Sequence, residues 1–312
     1  MYHPYFRGKQ FELVAIRENA ELLGQIGFVP IIEPVRESLT GLKRTLEAIV
    51  GAAGEVVLIV NPHHGDHAED AAAITDLVDK EFPAHPKLSV GVLATEGASV
   101  DAVIKTCAKH ATRPLTLIHA GATDARGIAA RLVGELTIHR HVFIEEFCGK
   151  LYRKHFISER RVLVRDGFKR RSNREHPEVE FFSDLHATFS EENVSGFGDF
   201  LVVGDDYSEA GGPAYAVAIH LTYIDKAKDD GMYVYHFVSD RTDTPADPAG
   251  KFAEALVKLV AEVNSTDTCI LRTKAVQEFL GLHERRHFPG LGYVKKLSMQ
   301  HHIETLAHYL KK

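Results

Sequence analysis

Carboxylates and histidines recur at the ends of apolar runs in this chain, where a side chain is partly stripped of water. Glu33 lies between Ile32 and Pro34 in FVPIIEPV, and His119 follows LTLI. Partial desolvation pushes a carboxylate pKa upward, which suits a group that must give and take protons. Asn61, Thr95 with Glu96, Glu145 or Glu146, Arg165 with Asp166, and Asp205 with Asp206 close other apolar runs in the same way. A blander reading weighs against each of them singly, because strand ends meet water and polar residues are ordinary there.

A second group is basic. Lys169, Arg170, Arg171 and Arg174 crowd into DGFKRRSNRE (166–175), and cations gathered in this way clamp phosphate through charge-assisted hydrogen bonds. The opposing reading is a solvated loop balanced by Glu175, Glu178 and Glu180. Histidines form a third group. In NPHHGDH (61–67), His64, Asp66 and His67 match three places of the HxHxDH zinc pattern of metallo-β-lactamase-like hydrolases. Pro62 stands where the first histidine belongs, so a solvated histidine-rich loop is expected there and no metal site is assigned. His301 and His302 fall on a helix whose apolar stripe is Met299, Ile303 and Leu306, which reads as the border of a packing or dimer surface.

The elements that must position these groups alternate. Apolar runs at 28–35, 56–61, 88–95, 114–120 and 141–147 recur roughly every 27 residues, separated by segments of helical periodicity. They are apolar along most of their length, which implies burial on both faces and so a parallel sheet covered by helices. A sixth run spans 161–166 and a seventh includes 200–204. The expectation is a TIM-barrel-like (β/α)8 fold, distorted over its last strands, in one domain of residues 1–312; a doubly wound open sheet is the alternative. In a barrel the strand C-termini share one face, so Glu33, Asn61, His119, Glu145 and Asp166 should look into a common mouth. Past a polar insertion at 166–195, too few residues separate Val203 from Ala214 for a helical crossover. The three β-type runs of Gly196–Asp240, which carry Asp199, His220, Thr222 and His236, therefore read as a meander. Its runs at 215–224 and 232–238 are the candidates for the eighth strand. A helical region follows over 248–312.

Composition narrows the classes. A net charge of −6 points to neither nucleic acid nor an anionic membrane as a global partner. Three scattered cysteines without CxxC spacing fit a reducing, cytoplasmic protein, and no apolar run reaches membrane-spanning length.

YHPYFRGKQFELVAI…FVPIIEPV, the DGF–KRR–N–EFF–D insertion, the GFGDF turn and AIHLTY…MYVYHFVS, taken in that order, resemble the bacterial and phage “beta protein” family, and an uncharacterised bacterial branch of it most. The likeness spans nearly the whole chain. It implies a TIM-barrel-like fold and an association with mobile-element or phage-defence loci, with no settled activity. It puts Lys9, Glu12, Glu33, Asp166, Asp199, His220 and Tyr223 in motif positions. Where phage members carry Arg in an “RY” pair, this chain has His220 and Thr222 before Tyr223, which places an anion-binding role of that arginine in doubt.

Two functions from different classes follow. In the first, the barrel mouth binds or processes a phosphate-bearing small molecule or a nucleic-acid end. Glu33, His119, Glu145, Asp166 and Asp199 would supply acid–base groups for a hydrolase, and Asn61, Lys169, Arg170, His220 and Tyr223 would hold the ligand. In the second, the barrel is a non-catalytic scaffold of a defence-type complex whose C-terminal helices bind a protein partner or a second copy. Convergence of the acid–base groups in one pocket favours the first; burial in ion pairs favours the second. No cofactor is assigned in either.

Overall fold

Eight short apolar strands pair side by side in the computed structural model, every one parallel to its neighbours. The structure describes residues 1–83, 85–209, 212 and 214–311. They divide into two units, one of residues 1–166 with 188–200 and one of residues 167–187 with 201–312.

In the first unit the strands are β1 (Tyr5–Phe6), β2 (Ile31–Ile32), β3 (Val56–Ile59), β4 (Leu88–Thr95), β5 (Leu115–Ala120), β6 (Ile138–Ile144) and β7 (Arg161–Val164). After β8 (Val179–Ser183), which belongs to the second unit, β9 (Gly196–Gly198) completes the set. Edge meets edge: Tyr2 bridges Phe197 in parallel, and the Tyr5 amide donates to the Asp199 carbonyl at 2.9 Å. The sheet is a nearly closed barrel, and glycine is what lets it close. A Cβ at Gly198 would stand 2.2 Å from the His3 carbonyl oxygen, so a side chain there would hold the last strand off the first.

Alternate residues of these strands, among them Ile31, Val57, Leu93, Ile118, Val142 and Val162, meet in one buried cluster that fills the barrel. Successive side chains of a strand point to opposite faces, so their neighbours face the surrounding helices. Those helices are α1 (Gln10–Glu18), α2 (Ala20–Ile26), α3 (Thr40–Gly51), α4 (Ala72–Glu81), α5 (Val100–Lys109), α6 (Ala125–Leu132) and the single turn α7 (Lys150–Arg153). Their starts follow local chemistry. Ser99 and Asp124 accept hydrogen bonds from the Ala102 and Gly127 amides and so cap α5 and α6. A one-turn helix α8 (Leu185–Thr188) lies where the chain passes back from the second unit.

The second unit is built on an antiparallel sheet in the order β10 (Ala218–Asp225), β11 (Gly231–Val238), β8. The β10–β11 hairpin pairs without a break from Ala218↔Val238 to Asp225↔Gly231. Asp229 and Asp230 take the left-handed conformation its turn requires, which aspartate tolerates better than most residues. Helices α9 (Pro248–Val263), α10 (Lys274–Glu284) and α11 (Leu291–Leu310) pack on Ile219, Leu221 and Tyr223 through Phe252, Leu256, Phe279 and Leu297. Asp247 and Thr273 cap α9 and α10 by accepting from Gly250 and Val276. The middle of α11, from Lys296 to Ile303, is buried throughout, His301 and His302 included. Among the described residues, no helix is long and apolar enough to cross a membrane.

Two expectations about the last strands need correction. The runs at 215–224 and 232–238 do not supply the eighth barrel strand, because they pair with each other and with β8. Residues 200–204 do not lie in the seventh strand of the barrel run either: the paired segment is Gly196–Gly198 and ends before Phe200.

Candidate functional site

Most acid–base candidates of the barrel are engaged by neighbours in the first unit. Glu33 follows β2 and is fully buried. One of its oxygens pairs with the Arg7 guanidinium and accepts from the Tyr5 hydroxyl at 3.0 Å; the other accepts from the His63 and His64 amides at 2.8 and 3.1 Å. This carboxylate pins the loop after β3 to the first two strands. Gly65 belongs to that loop, at φ +79°, and a Cβ there would lie 2.2 Å from the Val35 carbonyl oxygen. In the same loop Asp66 accepts from the Glu37 amide, and buried His67 bonds the Arg36 carbonyl. The loop is thus a braced turn, exposed at His63 and Asp66 and buried at His67.

Asn61 closes β3 by substituting for a strand. Its amide donates to the Leu93 carbonyl at 2.9 Å and accepts from the Leu93 amide at 2.8 Å. Glu145, in a 3-10 turn after β6, is held through both its oxygens by Nε and Nη2 of Arg165. Asp199 accepts from the Tyr2 hydroxyl at 2.6 Å beside the barrel seam. Asp166, after β7, is exposed.

His119 does not look into the barrel. Its neighbour Ile118 belongs to the interior cluster, so the pleat turns the imidazole outward, where it stacks on Phe143 with ring centres 4.6 Å apart. Nδ1 bonds the Tyr152 hydroxyl at 2.9 Å and Nε2 bonds His141 Nδ1 at 3.0 Å, so both ring nitrogens are occupied. Burial, with the nearby His141 and Arg161, holds His119 well below the ordinary histidine value, and burial likewise lowers His141 to about 4. Both rings are neutral near neutral pH. His119 therefore does not join the expected common mouth, since it faces the opposite side of the strand, and Glu33, Asn61 and Glu145 are each engaged by internal bonds.

The second unit holds a cavity of about 260 Å³. Its polar lining is Arg170, Arg171, Asn173, His176, His220, Lys295 and Ser298, with Phe168, Val202, Val217, Leu291 and Val294 among its apolar walls. Among the described residues, no aspartate or glutamate lines it. The sequence builds this wall by short-range devices. A 3-10 turn, Asn173–Glu175, is fixed by a reciprocal pair of bonds between Ser172 and Glu175. Asn173 donates to the Ala216 carbonyl at 2.8 Å and ties the turn to the segment leading into β10. His176 is the residue that ends the turn.

His220 and His236 face each other directly across the hairpin. Their Nδ1 atoms are 2.8 Å apart, and His236 Nε2 lies 3.1 Å from Glu180. A carboxylate only accepts, so His236 carries its proton on Nε2 and His220 donates to the bare Nδ1 of His236. Glu180 also receives Arg171 at 3.1 Å and Lys169 at 3.7 Å, while Arg170 reaches Asp206 at 3.5 Å in an exposed pair.

Of the ligand-binding candidates, then, Arg170 and His220 line this cavity. Lys169 stands outside the lining on Glu180, and Tyr223 is on the other face of β10, buried against Tyr233 and Tyr235, with burial pushing its hydroxyl pKa upward. His176 and Lys295 were not among the residues singled out from sequence. The available signals were faint: a histidine just before a proline at the entry to β8, and the first of two adjacent lysines in the C-terminal helix. Neither family models nor curated proteins gave a match to this chain.

Proposed function

We propose that this protein binds a phosphate-bearing ligand in the cavity of its second unit, and that the barrel serves as its scaffold. One observation carries the reading: in a chain of net charge −6, a concave site is lined by two arginines, a lysine and two histidines and by no acid among the described residues. Arginine and lysine donors around an apolar-walled hollow are the chemistry that recognises phosphate. Arg171 is oriented by Glu180, whereas Arg170 makes a long, exposed contact with Asp206 that a phosphate can replace. The scaffold half of the reading rests on Glu33, Glu145 and Asp199, each of which is held by an internal donor. The order of motifs shared with the beta protein family supports a role in mobile-element or phage-defence loci.

Calorimetry with nucleotides and short phosphorylated oligonucleotides tests the reading. Binding should weaken as salt rises, since the site is partly open. The double variant Arg170→Ala/Lys295→Ala should lose about tenfold or more in affinity, given that hydrogen bonds to charged groups contribute about 1.5–3 kcal/mol each before solvent screening. A double variant that binds as the parent does, or a parent that binds none of these ligands, leaves the scaffold role alone standing.

A further inference from the structure

The geometry points to a binding site for a divalent transition-metal ion of the zinc class on His176, His220 and His236, with Glu180 orienting His236 from behind. Among the described residues, these three form a group whose ring nitrogens, one from each, lie within 4.8 Å of one another. Three imidazoles are a recurrent protein contribution to a zinc site that keeps one position open, with zinc–nitrogen distances of about 2.0–2.1 Å. A tetrahedral ion at such distances needs its nitrogens roughly 3.3 Å apart, so the His220–His236 pair at 2.8 Å must part by about half an ångström. That pair is now joined by one proton. If it moves to His220 Nε2, two lone pairs face a common point and the ion takes the proton's place.

Three further features suit the assignment. Glu180 accepts from His236 Nε2 at 3.1 Å, the carboxylate–histidine arrangement that fixes the tautomer of a metal-binding ring and leaves Nδ1 as the ligand. His176 Nδ1 is buried without a hydrogen bond, 3.8 Å from Glu180. Its ring stacks on His236 with centres 4.2 Å apart. The rings are also in the state that ligates: burial lowers the pKa of all three, His236 to about 4 and His220 well below the ordinary value.

His176 and His220 line the cavity, whereas His236 stands behind them. The open position of the ion would therefore face the cavity, and an oxygen of the phosphate proposed above would complete the shell. This last clause rests on the phosphate reading; the metal site itself does not.

The test uses the full chain, freed of metal by chelation and kept in phosphate-free buffer. Zinc uptake is followed by calorimetry, and cobalt(II) by the visible absorption of its low-symmetry complexes. One ion per chain is expected, with cobalt displaced by zinc. His220→Ala and His236→Ala should each abolish the cobalt signal, while His283→Ala, at an exposed position outside the cavity lining, should leave it unchanged. Glu180→Gln should weaken affinity by about 10- to 100-fold, the usual effect of losing such a supporting group. Nuclear magnetic resonance of the histidine rings in the unmodified chain keeps the test independent of variant folding: zinc should move the signals of three rings. A parent that takes up neither ion, or zinc shifts at other rings, overturns the inference. Phosphate binding that persists in chelator while zinc is refused overturns it and leaves the phosphate reading intact; zinc uptake without phosphate binding does the reverse.

Discussion

His301 should set a measurable part of the acid sensitivity of the second unit. Its ring is fully buried in α11. Nε2 donates to the Thr222 carbonyl of β10 at 2.7 Å, and Nδ1 lies 2.8 Å from the hydroxyl of Thr273, the residue that caps α10. One neutral imidazole thus joins a strand and two helices. Burial, partly offset by the bond to Thr222 and reinforced by His302, lowers its pKa from 6.5 to about 4. The sign follows. An unfolded chain takes up the proton below 6.5 and the folded one does not until about 4, so this group's contribution is complete above 6.5 and is lost as pH falls toward 4. Between pH 7.5 and 5.5 the loss is about 1.4 kcal/mol from this ring alone.

His301→Gln retains an N–H for Thr222 but has nothing to titrate. The substitution should lower stability by about 1–2 kcal/mol at pH 7.5, through the imperfect replacement of two buried hydrogen bonds. It should also flatten the pH dependence by about 1.4 kcal/mol. Urea unfolding of parent and variant at both pH values reads the two effects separately. Equal losses of stability between pH 7.5 and 5.5 in the two proteins would refute the assignment of a neutral, buried His301.

Removing the Glu33 carboxylate should act on stability rather than on ligand binding. Glu33→Ala leaves the partly buried Arg7 without this partner and the His63 and His64 amides without their acceptor. Denaturant unfolding should show a loss of about 3–5 kcal/mol, and an unchanged midpoint would contradict the ion-pair reading. Cys107 and Cys148 are buried, which pushes their thiols up to about 12, while Cys269 is exposed. A chromogenic disulfide reagent should titrate one thiol in the native protein and all three after unfolding; fast reaction of a second native thiol would show that one of these burial assignments is wrong.

The barrel was legible because its middle strands are apolar on both faces and regularly spaced, a pattern that few other architectures produce. Its two ends were not. β1 is only two residues long and so has no periodicity to detect. β9 is Gly–Phe–Gly, poor in the residues that mark strands, and its glycines answer to the crowding at the seam rather than to strand preference. The longer, more β-like runs at 215–224 and 232–238 drew attention instead. The alternation of Ile219, Leu221 and Tyr223 with His220 and Thr222 signals a sheet with two unlike faces, which favours an antiparallel pairing over a barrel strand. For the site, strand ends were a poor guide: the barrel's polar groups largely bond one another. The cavity depends on cross-strand register, which sets His220 against His236, and on a turn that brings in His176. Neither is written in local spacing.

Because each unit is made of two stretches of chain, neither can be completed in one pass of synthesis. β8 leaves the ribosome well before β11, which pairs with it, and waits as a strand edge until the hairpin has followed. β1, made long before β9, waits for it to complete the seam. Closures over such long separations are slow, and half-made intermediates expose strand edges to other chains. The same interleaving has a converse in the finished protein. A single cut between the two stretches of either unit releases no independent piece, so a nick in the 166–188 region should leave both fragments held together by the sheets they share.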